Sequence, residues 1–173
     1  MGSTEVRLRD NRAVVLRALL VEDSEKLFEM YSSLSEETLR WAMPPYTREI
    51  IDRWMNNLPH CITLVAVYGD RIVGHATVFK SPHPRRKGVA DFGIYIHQDF
   101  QNVGLGTAMV SKLLESAKKE RLHRLELGVI AENTRAVRLY KKFGFEVEGV
   151  SKDWYFGGDG KYHDFVAMGL ILE

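Results

Sequence analysis

The chain has 173 residues, 45% of them apolar and 27% charged, which fits one domain (1–173) with a sizeable core. Its 24 basic and 23 acidic side chains leave a net charge of +1, giving no basis for nucleic acid or an anionic membrane as partner. The single cysteine, Cys61, excludes an internal disulfide, and no run of about 18 apolar residues is present to span a bilayer. The start "MGSTEVRLRD" has neither a secretory layout nor a myristoylation pattern, so the expectation is a cytoplasmic protein.

In chain order, "AVVLRAL" predicts a first strand, and "EDSEKLFEMYSSLS" a helix with Leu27, Met30, Tyr31 and Leu34 at helical spacing and Asp23 as N-cap. "TREIIDRWMNNL" predicts a second helix that buries Ile50, Ile51, Trp54, Met55 and Leu58. "CITLVAVYGDRIVGHATVFK" reads as two strands around Gly69-Asp70, and the loop "SPHPRRKG" leads into a fourth strand, "VADFGIYI". Helix "GTAMVSKLLESAKKE" follows, then strand "LHRLELGVI" and helix "NTRAVRLYKKF", closed by Gly144. Two strands around "GGDG" end the chain. The order β-α-α-β-β-β-α-β-α-β-β, about seven strands and four helices, predicts an α/β or α+β sheet with helices on its faces.

The stretch "DFQNVGLGTAMV" places Gly104 and Gly106 where a strand gives way to a helix. They can serve only a tight turn. A Rossmann fingerprint fits poorly, because Met109 stands where a third small residue is needed and the stretch does not follow the first strand. A Walker loop lacks its Gly-Lys-Ser/Thr. The remaining reading uses the helix start itself. Its unpaired amides carry about half a positive charge, and small residues from Asn102 to Thr107 let a diphosphate approach them.

"QNVGLGTAMV" resembles the Q/R-x-x-G-x-G/A acetyl-CoA signature of the GCN5-related N-acetyltransferases (GNAT). "ELGVIAENTRAVRLYKKFGFEVEG" resembles that family's second signature, Asn-x-x-Ala-x-x-Leu-Tyr-x-x-x-Gly-Phe. The likeness covers roughly residues 89 to 172 and implies a mixed, mostly antiparallel twisted sheet of the GNAT type. It also implies acetyl-CoA as co-substrate. Gln101, Asn102, Val103, Gly104, Leu105, Gly106 and Thr107 would then hold the diphosphate. Ile94 and Ile96 would pair with the pantetheine arm in an opening between the fourth and fifth strands. Asn133, Ala136, Tyr140 and Phe143 share one helix face. Asn133 would hold the cofactor or fix the helix start, and Ala136 leaves space beside that face. Read by itself, Tyr140 is a half-buried aromatic; the resemblance makes it the general acid that protonates the leaving thiolate, which suits a phenol of pKa about 10.

The general base is less defined. Asp91 and Glu126 lie near the expected opening, though each also reads as an ordinary strand carboxylate. The ribosomal-protein alanine acetyltransferases of this family place a glutamate where this chain has Gly128, so a water relay is the other reading. Deprotonating a lysine-like amine at neutral pH costs roughly 4 to 5 kcal/mol, an α-amine only about 1, so a base matters far more in the first case. Trp41, Met43, Pro44, Pro45 and Tyr46 fall where the family builds its acceptor pocket, and core packing explains Trp41 equally well. "WYFGGDGKYHD" resembles the terminal hairpin of small-molecule and polyamine members; it would line the acceptor site or form a homodimer edge. "HPRRKG" reads as a solvated basic turn, with a contact to the cofactor's 3′-phosphate or to an acidic substrate as the other reading. The six histidines show no metal-ligand spacing.

The expectation is direct transfer of an acetyl group from acetyl-CoA to a primary amine of a small molecule, polyamine or protein N-terminus. No acyl-enzyme is expected, since Cys61 lies far from both signatures. The other hypothesis is a non-catalytic acyl-CoA-binding module that regulates a partner protein.

Overall fold

The computed structural model describes residues 2–172. In chain order its elements are β1 (Thr4–Arg7), β2 (Ala13–Arg17), α1 (Ser24–Ser32), α2 (Glu36–Leu39), α3 (Arg48–Asn56), β3 (Cys61–Tyr68), β4 (Arg71–Lys80), β5 (Val89–Ile96), α4 (Leu105–Lys119), β6 (Arg124–Ile130), α5 (Thr134–Lys142), β7 (Glu146–Phe156) and β8 (Tyr162–Ile171). The eight strands form one sheet in the order β1-β2-β3-β4-β5-β6-β8-β7. Every neighbouring pair is antiparallel except β5 and β6.

The sheet separates two apolar layers. On one face α4 and α5 pack Leu105, Met109, Leu113 and Tyr140 against Leu64, Ala76 and Phe92. On the other, α1 and α3 pack Leu27, Met30, Tyr31, Ile51 and Met55 against Val65 and Ile72. Buried residues of α4 recur at helical spacing (Leu105, Met109, Leu113, Ala117), whereas β4, covered on both faces, is buried along most of its length.

The sheet has one strand more than the sequence predicted, and there is one more helix. "TEVR" pairs with β2 in a hairpin, but its residues are mostly exposed and carry no apolar alternation to mark it. The four-residue α2 is capped by the Ser35 hydroxyl, which accepts from Thr38 N at 3.2 Å. The first helix begins at Ser24 with Asp23 as its N-cap residue, as expected, but without a side-chain cap. Val21–Asp23 form a 3-10 turn. The Asp23 carboxylate accepts instead from Arg17 at 2.6 and 2.8 Å and from Leu20 N at 2.9 Å.

What positions the site is the short parallel ladder. β5 and β6 pair only from Val89 to Asp91 and from Arg124 to Glu126. Beyond it, β5 stays with β4 as far as Ile96, while β6 stays with β8 as far as Ile130. The two strands therefore part, and the edge of β5 facing β6 loses its strand partner.

Candidate functional site

A cavity of about 490 Å³ occupies the space between the parted strands. Phe92 to Ile96 form one wall, Gly128 to Ile130 the other, and the face of α5 from Asn133 to Tyr140 closes one side. Trp41, Ala42 and Met43 line it from the segment after α2, and Trp154 and Phe165 from the terminal hairpin.

Tyr140 is 7% exposed and stands edge-on to Phe92, with ring centroids 5.9 Å apart. Burial pushes its phenol well above the ordinary tyrosine range, so the hydroxyl keeps its proton at any working pH. No side chain among the described residues shares a hydrogen bond with it, which leaves a proton donor at the cavity wall. Four residues before Ala136 is Glu132; between them Asn133 caps α5, its Oδ1 accepting from Ala136 N at 3.2 Å. Ala136 lines the cavity on the same helix face.

The loop before α4 leaves the helix start without a side-chain cap. Gly104, the N-cap, has φ +94° in the left-handed region, and Asn102 has φ +62°. The N–H groups of Asn102, Val103, Gly104, Leu105, Gly106 and Thr107 donate to no group among the described residues. Six free consecutive amides at a fifteen-residue helix suit a diphosphate. Residues 102–107 lie beside the cavity rather than lining it. A Cβ on Gly106 would stand 3.2 Å from both Ile96 Cδ1 and Leu139 Cδ2, two lining residues, which places the loop against the cavity's end. Leu105 is fully buried.

Gln101 lines the cavity, but its side chain is already engaged. Nε2 donates to Thr38 Oγ1 at 3.2 Å and to the Ile96 carbonyl at 3.0 Å, and Oε1 accepts from Arg135 at 2.8 Å. One backbone acceptor expected to meet a pantetheine arm, that of Ile96, is thus held by Gln101. Ile94 also lines the cavity.

The two carboxylates expected as bases are not brought to the cavity. Asp91 and Glu126 face each other in the last pair of the parallel ladder, just before the strands part, and neither lines the cavity. Glu126 is paired with Arg86 and, at 3.5 Å, with Arg124. Burial and the neighbouring Glu126 raise Asp91. Arg86, from the basic turn, is thereby an ion-pair partner of the sheet. The carboxylates that do line the cavity are Glu37 and Glu132.

The segment after α2 is tied across the cavity to the terminal hairpin. Tyr155 donates to the Ala42 carbonyl at 3.0 Å, and Arg40 pairs with Asp159 at 3.3 Å. His163 is held between Asp159 at 3.0 Å and Glu132 at 3.1 Å, its ring edge-on to Trp41. These two carboxylates raise its pKa. Tyr46, expected in the acceptor pocket, instead joins an aromatic cluster with Tyr31, Trp54 and Tyr95, donating to the Tyr95 hydroxyl at 2.9 Å. Trp154 belongs to the hairpin "WYFGGDGKYHD" expected to line the acceptor site, whereas Phe165 and Glu132 were not anticipated as lining residues.

Among the described residues no group of three or more His, Cys, Asp or Glu is placed to hold a metal ion, and no helix is long and apolar enough to cross a membrane.

The acetyltransferase (GNAT) family model matches residues 26–145, and the chain belongs to that family. It is similar to the L-amino acid N-acetyltransferase AaaT of Escherichia coli, with 30% identity over 159 residues, 91% of this chain and 98% of that one. In fold it resembles a GNAT-family acetyltransferase from Streptococcus pneumoniae, with TM-score 0.80 and 24% identity over 92% of this chain and 99% of that one. A putative acetyltransferase from Salmonella typhimurium, solved with its cofactor acetyl-CoA, also has TM-score 0.80, at 20% identity over 92% of this chain and 94% of that one.

Proposed function

We propose that the chain transfers an acetyl group from acetyl-CoA directly to the α-amine of a free amino acid or of a peptide N-terminus. The observation that carries this reading is the conjunction of the free amides of residues 102–107 with the unpartnered Tyr140 hydroxyl, at two parts of one opening between β5 and β6. When bound, acetyl-CoA supplies a thioester whose carbonyl carbon is open to a neutral amine and whose sulfur leaves as a thiolate.

The residues divide the remaining work. The amides from Asn102 to Thr107 hold the diphosphate, and Arg135 and Arg138 add positive charge on the same side. The free edge of β5 at Ile94 aligns the arm as a strand aligns its neighbour. As the new carbon–nitrogen bond forms and the carbon–sulfur bond breaks, the attacking nitrogen loses a proton to water, Tyr140 gives its proton to the departing sulfur, and Tyr140 regains a proton from solvent. A buried phenol is a weaker acid than a thiol of pKa about 8.5, so it donates to the sulfur while negative charge is building there, and solvent completes the exchange.

No carboxylate of the chain is assigned as base: Asp91 and Glu126 do not line the cavity, and Glu132, which does, is bonded to His163. An α-amine suits that arrangement, because freeing it of its proton at neutral pH costs only about 1 kcal/mol and water can take the proton. The printed activity of the Escherichia coli relative, along nearly its whole length, supports the same acceptor class.

The test is thiol release from acetyl-CoA in the presence of amino acids, dipeptides, polyamines and lysine side-chain amines. Release with α-amines above the hydrolysis rate is expected. Tight binding of acetyl-CoA with no release for any amine overturns the reading in favour of a binding module.

A further inference from the structure

On the other side of β5 lies a second cavity of about 350 Å³, between the C-terminal end of α3 and strands β3, β4 and β5. Its walls are mostly apolar or aromatic, including Leu19, Trp54, Leu58 and Phe79. None of its described lining residues is Asp, Glu, Lys or Arg. A charged group placed there would be desolvated without a counter-charge.

Two features distinguish it from a packing defect. The first is His75, 5% exposed, which lines the cavity. Its Nδ1 is bonded to the Tyr31 hydroxyl at 2.9 Å, but its Nε2 has no hydrogen-bonding partner. It is the buried side-chain polar atom left without one among the described residues. Buried polar atoms in native proteins are nearly always satisfied, so an orphan on a cavity wall points to a missing occupant. Burial lowers the His75 pKa to about 4, so the imidazole is neutral and offers one uncharged donor or acceptor, according to tautomer.

The second feature is Gly93. It lies mid-strand in β5, where glycine is disfavoured, and it lines both this cavity and the one holding Tyr140. A Cβ there would find its nearest atom, Thr77 Cγ2, at 4.0 Å. Packing therefore does not require a glycine. What its bareness preserves is open space where the two cavities meet, beside Tyr95, which also lines both.

We propose that this second cavity receives the side chain of the acceptor, taking an uncharged aliphatic or aromatic group that forms one hydrogen bond to His75 Nε2, while its α-amine passes Gly93 toward the thioester. This rests on the acetyl-transfer reading above and adds a substrate class to it. Polyamines and acidic or basic side chains are rejected because the walls hold no counter-charge.

Cys61 lines the same cavity and is the chain's only cysteine, which supplies a readout independent of turnover. It is half-buried, and burial keeps its thiol protonated, so alkylation by N-ethylmaleimide is slow enough to follow by mass spectrometry. The experiment measures alkylation of the intact protein with L-phenylalanine, L-leucine, glycine or putrescine present, and kcat/KM for the same four amines. L-Phenylalanine and L-leucine are expected to suppress alkylation while glycine and putrescine do not, and to exceed both in kcat/KM by about tenfold or more. In Gly93→Val, a side chain fills the junction, and the advantage of L-phenylalanine over glycine is expected to fall about tenfold.

If amines are acetylated but none protects Cys61, or putrescine is the better substrate, the pocket assignment is overturned while the transferase reading stands. If L-phenylalanine protects Cys61 and no amine is acetylated, the pocket stands and the transferase reading fails. An unchanged preference in a folded Gly93→Val overturns the role of the junction.

Discussion

Phe165 lays its ring over Gly128, so that a Cβ built on the glycine would fall 1.6 Å from Phe165 Cζ. The ring also stacks on Trp154, with centroids 4.2 Å apart, and all three residues line the cavity between β5 and β6. An aromatic plate thus covers Gly128 at the wall of the cavity. Gly128→Ala must displace that plate, and overpacking of this kind costs roughly 1–3 kcal/mol. The expected result is a melting temperature lowered by about 2–4 °C per kcal/mol, read by differential scanning calorimetry. Phe165→Ala removes the clash, so the double variant should lose less than the two single losses combined.

Tyr140 should separate chemistry from binding. Its hydroxyl has no partner among the described residues, so Tyr140→Phe removes a proton donor without leaving another polar group unsatisfied. The variant should fold with near-normal stability, bind acetyl-CoA with an unchanged Kd, and lose about 10²-fold or more in kcat. Because burial raises its pKa, the parent enzyme should show no loss of kcat from Tyr140 ionisation up to about pH 10. A variant weakened only in Kd would remove Tyr140 from the acid role.

The glycine turn before α4 and the helix face of Tyr140 were legible in the sequence because both are local. Gly104 must reach a left-handed φ, and Asn133, Ala136 and Tyr140 share a face by helical spacing alone. Sequence alone failed where a site is assembled across the sheet. Asp91 and Glu126 do sit next to each other on β5 and β6, as their positions suggested. That this pair ends the ladder beside the opening, with neither side chain lining the cavity, depends on the pairing register, which no local pattern records. His75 likewise looked like a histidine without metal spacing; its free Nε2 exists only because Tyr31, forty-four residues away, takes the other nitrogen. β1 escaped because an exposed edge strand has no apolar alternation.

Gly104 should govern cofactor affinity through backbone shape. Its φ of +94° is strained for any residue with a Cβ, and no atom within 3.4 Å would clash with that Cβ. Gly104→Ala therefore acts through conformation, at a cost of roughly 1–2 kcal/mol. The expected outcome is a modest fall in melting temperature and, if the loop relaxes to relieve the strain, an acetyl-CoA Kd raised about tenfold by isothermal titration. A variant with the parent Kd would show that these amides do not hold the diphosphate.

His163 should make the strap across the cavity pH-dependent. It faces Asp159 and Glu132, with Arg40 bound to Asp159 and the neutral rings of Trp41 and Tyr155 against it. The two carboxylates raise its pKa in the folded state, so its contribution to stability is fully present below the unfolded value of about 6.5 and is lost as pH rises through the folded value. Asp159 shifts the opposite way: its pKa is lowered by His163, so its share is present above about pH 4 and is lost as the solution becomes more acidic. Stabilisation by the strap is thus greatest between those limits. His163→Asn should lower the melting temperature most at mildly acidic pH, and the gap to the parent should narrow above neutrality. Thermal melts of the two proteins across that range check this. A gap that does not change with pH would mean His163 contributes only packing against Trp41.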